Sequence, residues 1–273
     1  MPLAADAFYR IDHRLLALVM VASLLVACEI GYRLGLARTD APESLRTLTN
    51  GIGAAMLGLL GLLLGFALTI AIARWDTRRD VIIQEANAIG TLSLRAGLLE
   101  EPLRGQLREA LRAYAEARVA LGGPRDRPEA LRRALRESQD LHVEIWSAVE
   151  HADRPSTANA TLASLISSAN ELIDLHELRL SSLQNHLPSA LFYLLLSLAA
   201  VSVGSLAWSF GAASHRGRTP IVLLALLIGA VLLLIMDVNR PQRGIIEVGV
   251  APLQRAVRSI SPPMSQMHET NPP

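Results

Sequence analysis

The sequence predicts an all-α fold: a four-span helical transmembrane protein with a helical cytoplasmic insert between spans 2 and 3. Four long apolar stretches carry this reading, at about 15–36, 52–73, 187–213 and 220–237. A helix rises about 1.5 Å per residue, so roughly 20 apolar residues cross a bilayer core of about 30 Å. Composition supports it, because 51% hydrophobic residues coexist with 19% charged ones, which must then sit between the spans. The long polar stretch 75–186 supplies the third observation. It shows helical periodicity and helix start and stop signals, with no alternating strand pattern.

The first span, Leu15–Leu36, is interrupted only by Glu29 and Arg33, four residues apart and able to pair on one helix face. It has a rival reading. Arg10 and Arg14 precede an apolar run ending Leu25-Val26-Ala27-Cys28, which matches a lipoprotein cleavage box with Cys28 as the lipidated residue. The apolar character continues to Leu36, which favours an uncleaved span.

The second span, Ile52–Ala73, is glycine-rich, and Ala54, Gly58, Gly61, Gly65 and Thr69 fall on one stripe at steps of four or three. Two readings stay open: close helix–helix packing through a small-xxx-small face, or a narrow pore lined by Gly58, Gly61, Gly65, Phe66 and Thr69. Phe66 is the one aromatic residue there able to constrict by dewetting. Together the first two spans form an N-terminal transmembrane hairpin over 1–74.

The insert, 75–186, begins with a helix continuing the second span to about Gly97. Glu101-Pro102 opens the next, with Leu103, Leu107, Leu111 and Tyr114 on one face, and Gly122-Gly123-Pro124 ends it. Asp126 and Glu129 form a capping box for a third, whose stripe is Leu131, Leu135, Ser138, Leu141, Ile145 and Ala148. After Arg154-Pro155-Ser156, Leu162, Ile166, Ala169, Ile173, His176, Leu180, Leu183 and Leu187 alternate steps of four and three. That heptad pattern suits a seam of an intrachain bundle or an interface between copies. Glu171, Asp174 and Glu177 beside His176 read as a solvated helix face, since a carboxylate-bridged metal needs ligands on other helices.

Spans three and four form a C-terminal transmembrane hairpin over 187–244, turning at Ser214–Thr219, with Pro220 suited to a first helical turn. The tail, 245–273, is cytoplasmic, and its Pro-, Ser- and Met-rich end from Ser259 is expected to be disordered. An even number of spans puts both termini and the insert on one side. That side carries Arg10, Arg14, Arg74, Arg78, Arg79, Arg240 and Arg243, against Arg38, Arg46, Arg216 and Arg218 opposite. The arginine bias places both termini and the insert in the cytoplasm, and the expected location of this multi-pass chain is a bacterial inner membrane.

Several functions find no support. All 26 basic residues are arginine, net charge is +1, and no basic stripe interleaves with aromatics, so nucleic acid is not an expected partner. The single cysteine rules out an internal disulfide or a cysteine-built metal site. No phosphate loop, zinc motif or nucleophile elbow occurs, and neither a catalytic role nor a cofactor or metal is expected. Arg74, Arg78, Arg79, Arg240 and Arg243 at the span ends are explained by topology, or by a positive mouth that enriches anions.

A set of motifs is more specific. Gly58–Arg79, Glu85-Ala86-Asn87-Ala88-Ile89-Gly90-Thr91, Arg95, Leu99, Tyr114 and Arg118 precede Asp237-Val238-Asn239-Arg240-Pro241, Gly244 and Pro252-Leu253. In this order and spacing they resemble the bestrophin-like domain family of bacterial membrane proteins, over most of residues 50–255. The family is formally of unknown function, and its name implies likeness to bestrophins, oligomeric anion channels with four spans and a helical cytoplasmic region. The resemblance therefore implies a homo-oligomer in the lipid bilayer, with the second span lining the pore and an inorganic anion such as chloride as the permeant ion. An aromatic-rich neck and an acidic C-terminal calcium clasp are missing: Phe66 stands alone, and only Glu247 and Glu269 follow Asp237. The alternative is a non-conducting membrane-anchored interaction or sensor protein acting through its insert.

Among the motif residues, Glu85 and Asn87 are placed to bind backbone or a neighbouring helix, and Arg95 to pair with a carboxylate from another insert helix. Asp237 and Arg240-Pro241 would close the fourth span, with Gly244 allowing the turn. Glu85, Asn87, Arg95, Asp237, Pro241 and Gly244 thus read as structural.

Overall fold

The computed structural model describes residues 13–39, 42–122, 128–152, 159–185, 187–213, 218–239 and 248–260. Among them the chain is helical, without strands: α1 (His13–Leu36), α2 (Glu43–Ala96), α3 (Leu103–Ala120), α4 (Pro128–Glu150), α5 (Asn159–Gln184), α6 (Ser189–Ala212), α7 (Thr219–Asn239) and α8 (Ala251–Ile260). Four of these are long and apolar enough to span a membrane, namely α1, α2, α6 and α7. The chain forms two compact units, Met1–Trp75 with Gln184–Ile246, and Asp76–Leu183 with Glu247–Pro273.

The first unit is the apolar one. Leu16, Met20, Leu24, Cys28 and Tyr32 recur every four residues on α1, and all are buried. That stripe packs on α6 and α7, with Phe192, Leu195, Ala199, Val203 and Ala207 of α6 and Ile221, Ala225, Leu232 and Ile235 of α7 in the same core. Where α1 meets α6 the side chains vanish. A Cβ on Gly31 would sit 2.1 Å from the Gly204 carbonyl oxygen, and one on Gly35 equally close to that of Trp208. From the other side, a Cβ on Gly211 would lie 2.3 Å from the Tyr32 carbonyl oxygen. Close backbone approach of this kind is how small residues join helices in lipid, where hydrophobicity gives no drive. The chain's tight small-residue seam is therefore α1–α6.

Glu29 and Arg33 pair as their spacing predicts, at 2.6 Å. Arg218, ahead of α7, adds a second bond to Glu29 at 3.2 Å and stacks its guanidinium 4.4 Å from the Tyr32 ring centre. Asn239 ends α7 fully buried, its side-chain oxygen accepting the Leu187 N–H at 3.1 Å ahead of α6. Asp237 is buried beside it. Pro241, Gly244, Arg240 and Arg243 lie outside the described residues, as do Arg10, Asp126 and Pro155.

The second unit is a helical bundle. Val81, Ile82, Ala86, Ile89, Leu92 and Ala96 of α2 are buried, as are Leu103, Leu107, Leu111 and Tyr114 of α3, the face the spacing predicts. On α4, Ser138, Leu141, Ile145 and Ala148 are buried; the side chain of Leu131 is outside the described set. On α5 the buried face is rotated from the expected seam. It runs Leu165, Ser168, Ala169, Leu172, Leu175, His176 and Arg179, while Ile166 is exposed. The reason is chemical: Arg179 and Ser168 take core positions that an apolar pattern leaves out. The tail also holds order beyond expectation, because α8 runs to Ile260 and buries Leu253, Ala256 and Ile260 against α3.

Candidate functional site

The glycine stripe on α2 settles toward one side of the first unit. Leu60, Leu64, Ala67 and Ala71 face its core, each nearly or fully buried. Gly58, Gly61, Gly65, Phe66 and Thr69 face the other way and are exposed. A Cβ built on Gly58, Gly61 or Gly65 would meet no atom within 4 Å, so these glycines make no room for another helix of the same chain. Thr69 turns its hydroxyl back to the Gly65 carbonyl at 2.9 Å, satisfying itself locally. Phe66 stands 58% exposed next to Gly65. Among the described residues of the chain, no side chain closes over these three glycines. Of the four apolar helices α2 is the least covered, with 22% of its apolar window buried against 50% for α7.

The arginines proposed for a mouth separate. Arg79 is exposed, and Arg74 is half-buried with its Nη1 unpartnered among the described residues. Arg78 is a correction. It is only 2% exposed and donates from Nε to the Ser182 carbonyl at 3.2 Å, bracing α2 against α5 within the second unit. A guanidinium so enclosed does not face solvent. Asn87 is exposed on α2. Arg95 binds α5, but to neutral partners: it donates to the Ser164 carbonyl at 2.6 Å and to the Ser168 hydroxyl, in place of the carboxylate expected.

Glu85 is the centre of the second unit. Fully buried, it accepts hydrogen bonds from the Tyr114 hydroxyl at 3.0 Å, from Nη1 of Arg179 at 2.7 Å and from Nε of Arg118. Arg179 also donates through Nη2 to the Arg118 carbonyl at 3.3 Å, tying α5 to the end of α3. His176 approaches the Tyr114 hydroxyl at 3.5 Å through Nδ1, and the His142 and His176 rings meet edge to face at 4.4 Å. Two helices, α3 and α5, therefore deliver donors to one carboxylate on α2, and His142 of α4 packs on their rings.

The electrostatics follow from burial. Burial pushes the Glu85 carboxyl up, but the Arg118 and Arg179 guanidiniums outweigh it and hold it below the usual carboxylate range. Burial, and then the Glu85 charge, drive the Tyr114 hydroxyl well above its ordinary value. Burial and the nearby Arg118 charge lower His142 to about 4 and His176 to about 3, so both rings are neutral at pH 7. Glu171, Asp174 and Glu177 stay on the exposed face of α5. Of this network the sequence named Glu85, Tyr114, Arg118 and His176 separately. Arg179 and His142 carried no signal beyond lying four or three residues from apolar positions.

A family model, Bestrophin-like domain, matches residues 14–253. Two solved point variants of a bacterial Bestrophin homolog from Klebsiella pneumoniae share the architecture. One is 15% identical with a TM-score of 0.68, covering 88% of this chain and 96% of its own. The other is 14% identical with a TM-score of 0.63, covering 88% and 95%. A third structure, titled only as a membrane protein, is 14% identical with a TM-score of 0.68 over 88% and 97% of the two chains. At such identity the likeness is one of fold. Among curated proteins, none matches the chain.

Proposed function

This chain belongs to the Bestrophin-like domain family, and we propose that it assembles as a homo-oligomer whose second spans surround an anion-conducting pore. The observation that supports this reading is the open glycine stripe: a Cβ on Gly58, Gly61 or Gly65 would meet no atom of the described chain within 4 Å. A small-residue face in lipid is matched either to another helix or to water in a lumen. The other three spans leave α2 mostly uncovered, so copies of α2 brought side by side present Gly58, Gly61, Gly65, Phe66 and Thr69 to a shared axis. Phe66 then supplies the apolar constriction, and Arg74 and Arg79, with Arg240 and Arg243 beyond α7, supply positive charge at the mouth. The reading includes an inner-membrane location with cytoplasmic termini, and chloride or a similar inorganic anion as cargo.

Planar-bilayer recording of purified protein of known mass tests it. Phe66→Ala should raise conductance severalfold by wetting the constriction, Gly61→Leu should obstruct the stripe, and Arg74→Glu should weaken anion preference. A folded monomer, silent at all voltages, would refute the pore and leave the anchored interaction module.

A further inference from the structure

The polar network around Glu85 does not balance. Among the described residues two guanidiniums, Arg118 and Arg179, share one carboxylate, Tyr114 and both histidines are neutral, and Glu85 is the one carboxylate acting on Tyr114, His142, His176 and Arg179. The described network thus carries one positive charge in excess. Its location is specific, because Nη1 and Nη2 of Arg118 are buried without a hydrogen-bond partner among the described residues, as are Nε of Arg179 and Nε2 of His142 and His176. Arg118 itself is fully buried. Three of these side chains gather around one ring: the Arg118 guanidinium carbon lies 5.7 Å from the centre of Tyr114, and the His142 and His176 ring centres lie at 5.1 Å and 6.4 Å.

A buried guanidinium with both terminal amines unsatisfied is among the costliest arrangements a core can hold, and such groups are found paired or bound to a ligand. The missing partner must accept several N–H bonds and carry one negative charge. We propose that the second unit binds one small monovalent anion of the halide class, held by the Arg118 terminal amines next to His142 and His176. Glu85 sets its stoichiometry: the carboxylate cancels one guanidinium, and the anion cancels the other. Burial of the site inside a single subunit's bundle makes it independent of any pore, and it stands whether or not the protein conducts.

The probe is bromide, on the full-length protein in detergent. Crystals grown in bromide should show an anomalous peak at hydrogen-bonding distance from the Arg118 terminal amines. Hydrogen-exchange protection of α3 and α5 should rise with halide at constant ionic strength against gluconate, about tenfold when halide reaches ten times its dissociation constant. Arg118→Met should abolish that dependence. Should Arg118→Met not fold, the bromide peak in the wild-type protein decides alone: present at the Arg118 terminal amines it supports the site, absent there it overturns it. An ordered water in place of the peak, or protection indifferent to halide, overturns the proposal. So does a halide effect that persists in folded Arg118→Met, which assigns the effect to another site.

Discussion

Replacing Glu85 by Gln is the most informative single change in this molecule. The side chains are nearly isosteric, so the bundle keeps its shape and an oxygen remains to accept from Tyr114 or one arginine. The charge is lost. Breaking a buried ion pair by removing one partner costs about 3–5 kcal/mol, because the remaining ion is left in a poor solvent. Here one carboxylate holds two guanidiniums, 0% and 3% exposed, so the upper half of that range applies, about 4–5 kcal/mol. Against a domain stability of about 5–15 kcal/mol, this brings the second unit close to unfolding. Hydrogen exchange in halide-free buffer localises the effect: amides of α3 and α5 should lose about 10³-fold in protection, while α1, α6 and α7 keep theirs. Changing Glu85, Arg118 and Arg179 together to Met should recover most of the loss, since an apolar core carries no desolvation debt. A loss of less than tenfold in Glu85→Gln would refute the idea that this carboxylate organises the unit.

Gly31→Val should destabilise the first unit by about 1–3 kcal/mol or more through overpacking, since its Cβ meets the Gly204 carbonyl at 2.1 Å. Gly61→Ala, on the open face, should leave the thermal unfolding of the detergent-dispersed subunit unchanged. In acid, the histidines set the trend. Their unfolded value near 6.5 lies above the folded values of about 4 for His142 and 3 for His176, so the unfolded chain takes up protons first. Stability should fall as pH drops below about 6.5, with a slope approaching one proton per histidine, and Glu85 adds its own loss only at still lower pH. Phe at both histidine positions should flatten the profile between pH 6.5 and 5, a result read from denaturant midpoints; an unchanged slope would place the titration elsewhere.

The apolar stretches announced four spans because crossing a bilayer demands an unbroken run, and nothing else in the chain imitates one. Faces were legible where burial is purely apolar: Leu103, Leu107 and Leu111 were read correctly from spacing alone. They were misread where polar groups enter the core. Spacing puts His176 on the buried side of α5 but carries the seam through Ile166, because an apolar pattern leaves Arg179 out. A buried arginine looks like any other until its carboxylate, 94 residues away, is in place. The glycines stay ambiguous in sequence for a similar reason. Gly58, Gly61 and Gly65 form the densest small-residue stripe, yet the close contact belongs to Gly31, Gly35, Gly204 and Gly211, spread thinly over two helices. Spacing reports that a face is small, and only the partner shows what it is small for.

The glycine seam also has a history in the life of each molecule. Gly31 and Gly204 meet atom against atom, yet 173 residues separate them along the chain. At a synthesis rate of about 5–20 residues per second, α1 waits roughly 10–35 s in the bilayer before its partner is made. Throughout that interval the notched face of α1 lacks the helix that covers it, and every nascent chain passes through a stage in which α1 and α2 stand without α6. The bare backbone that later docks so closely is meanwhile an open face of the kind through which helices associate in lipid, and the arrival of α6 is what closes it.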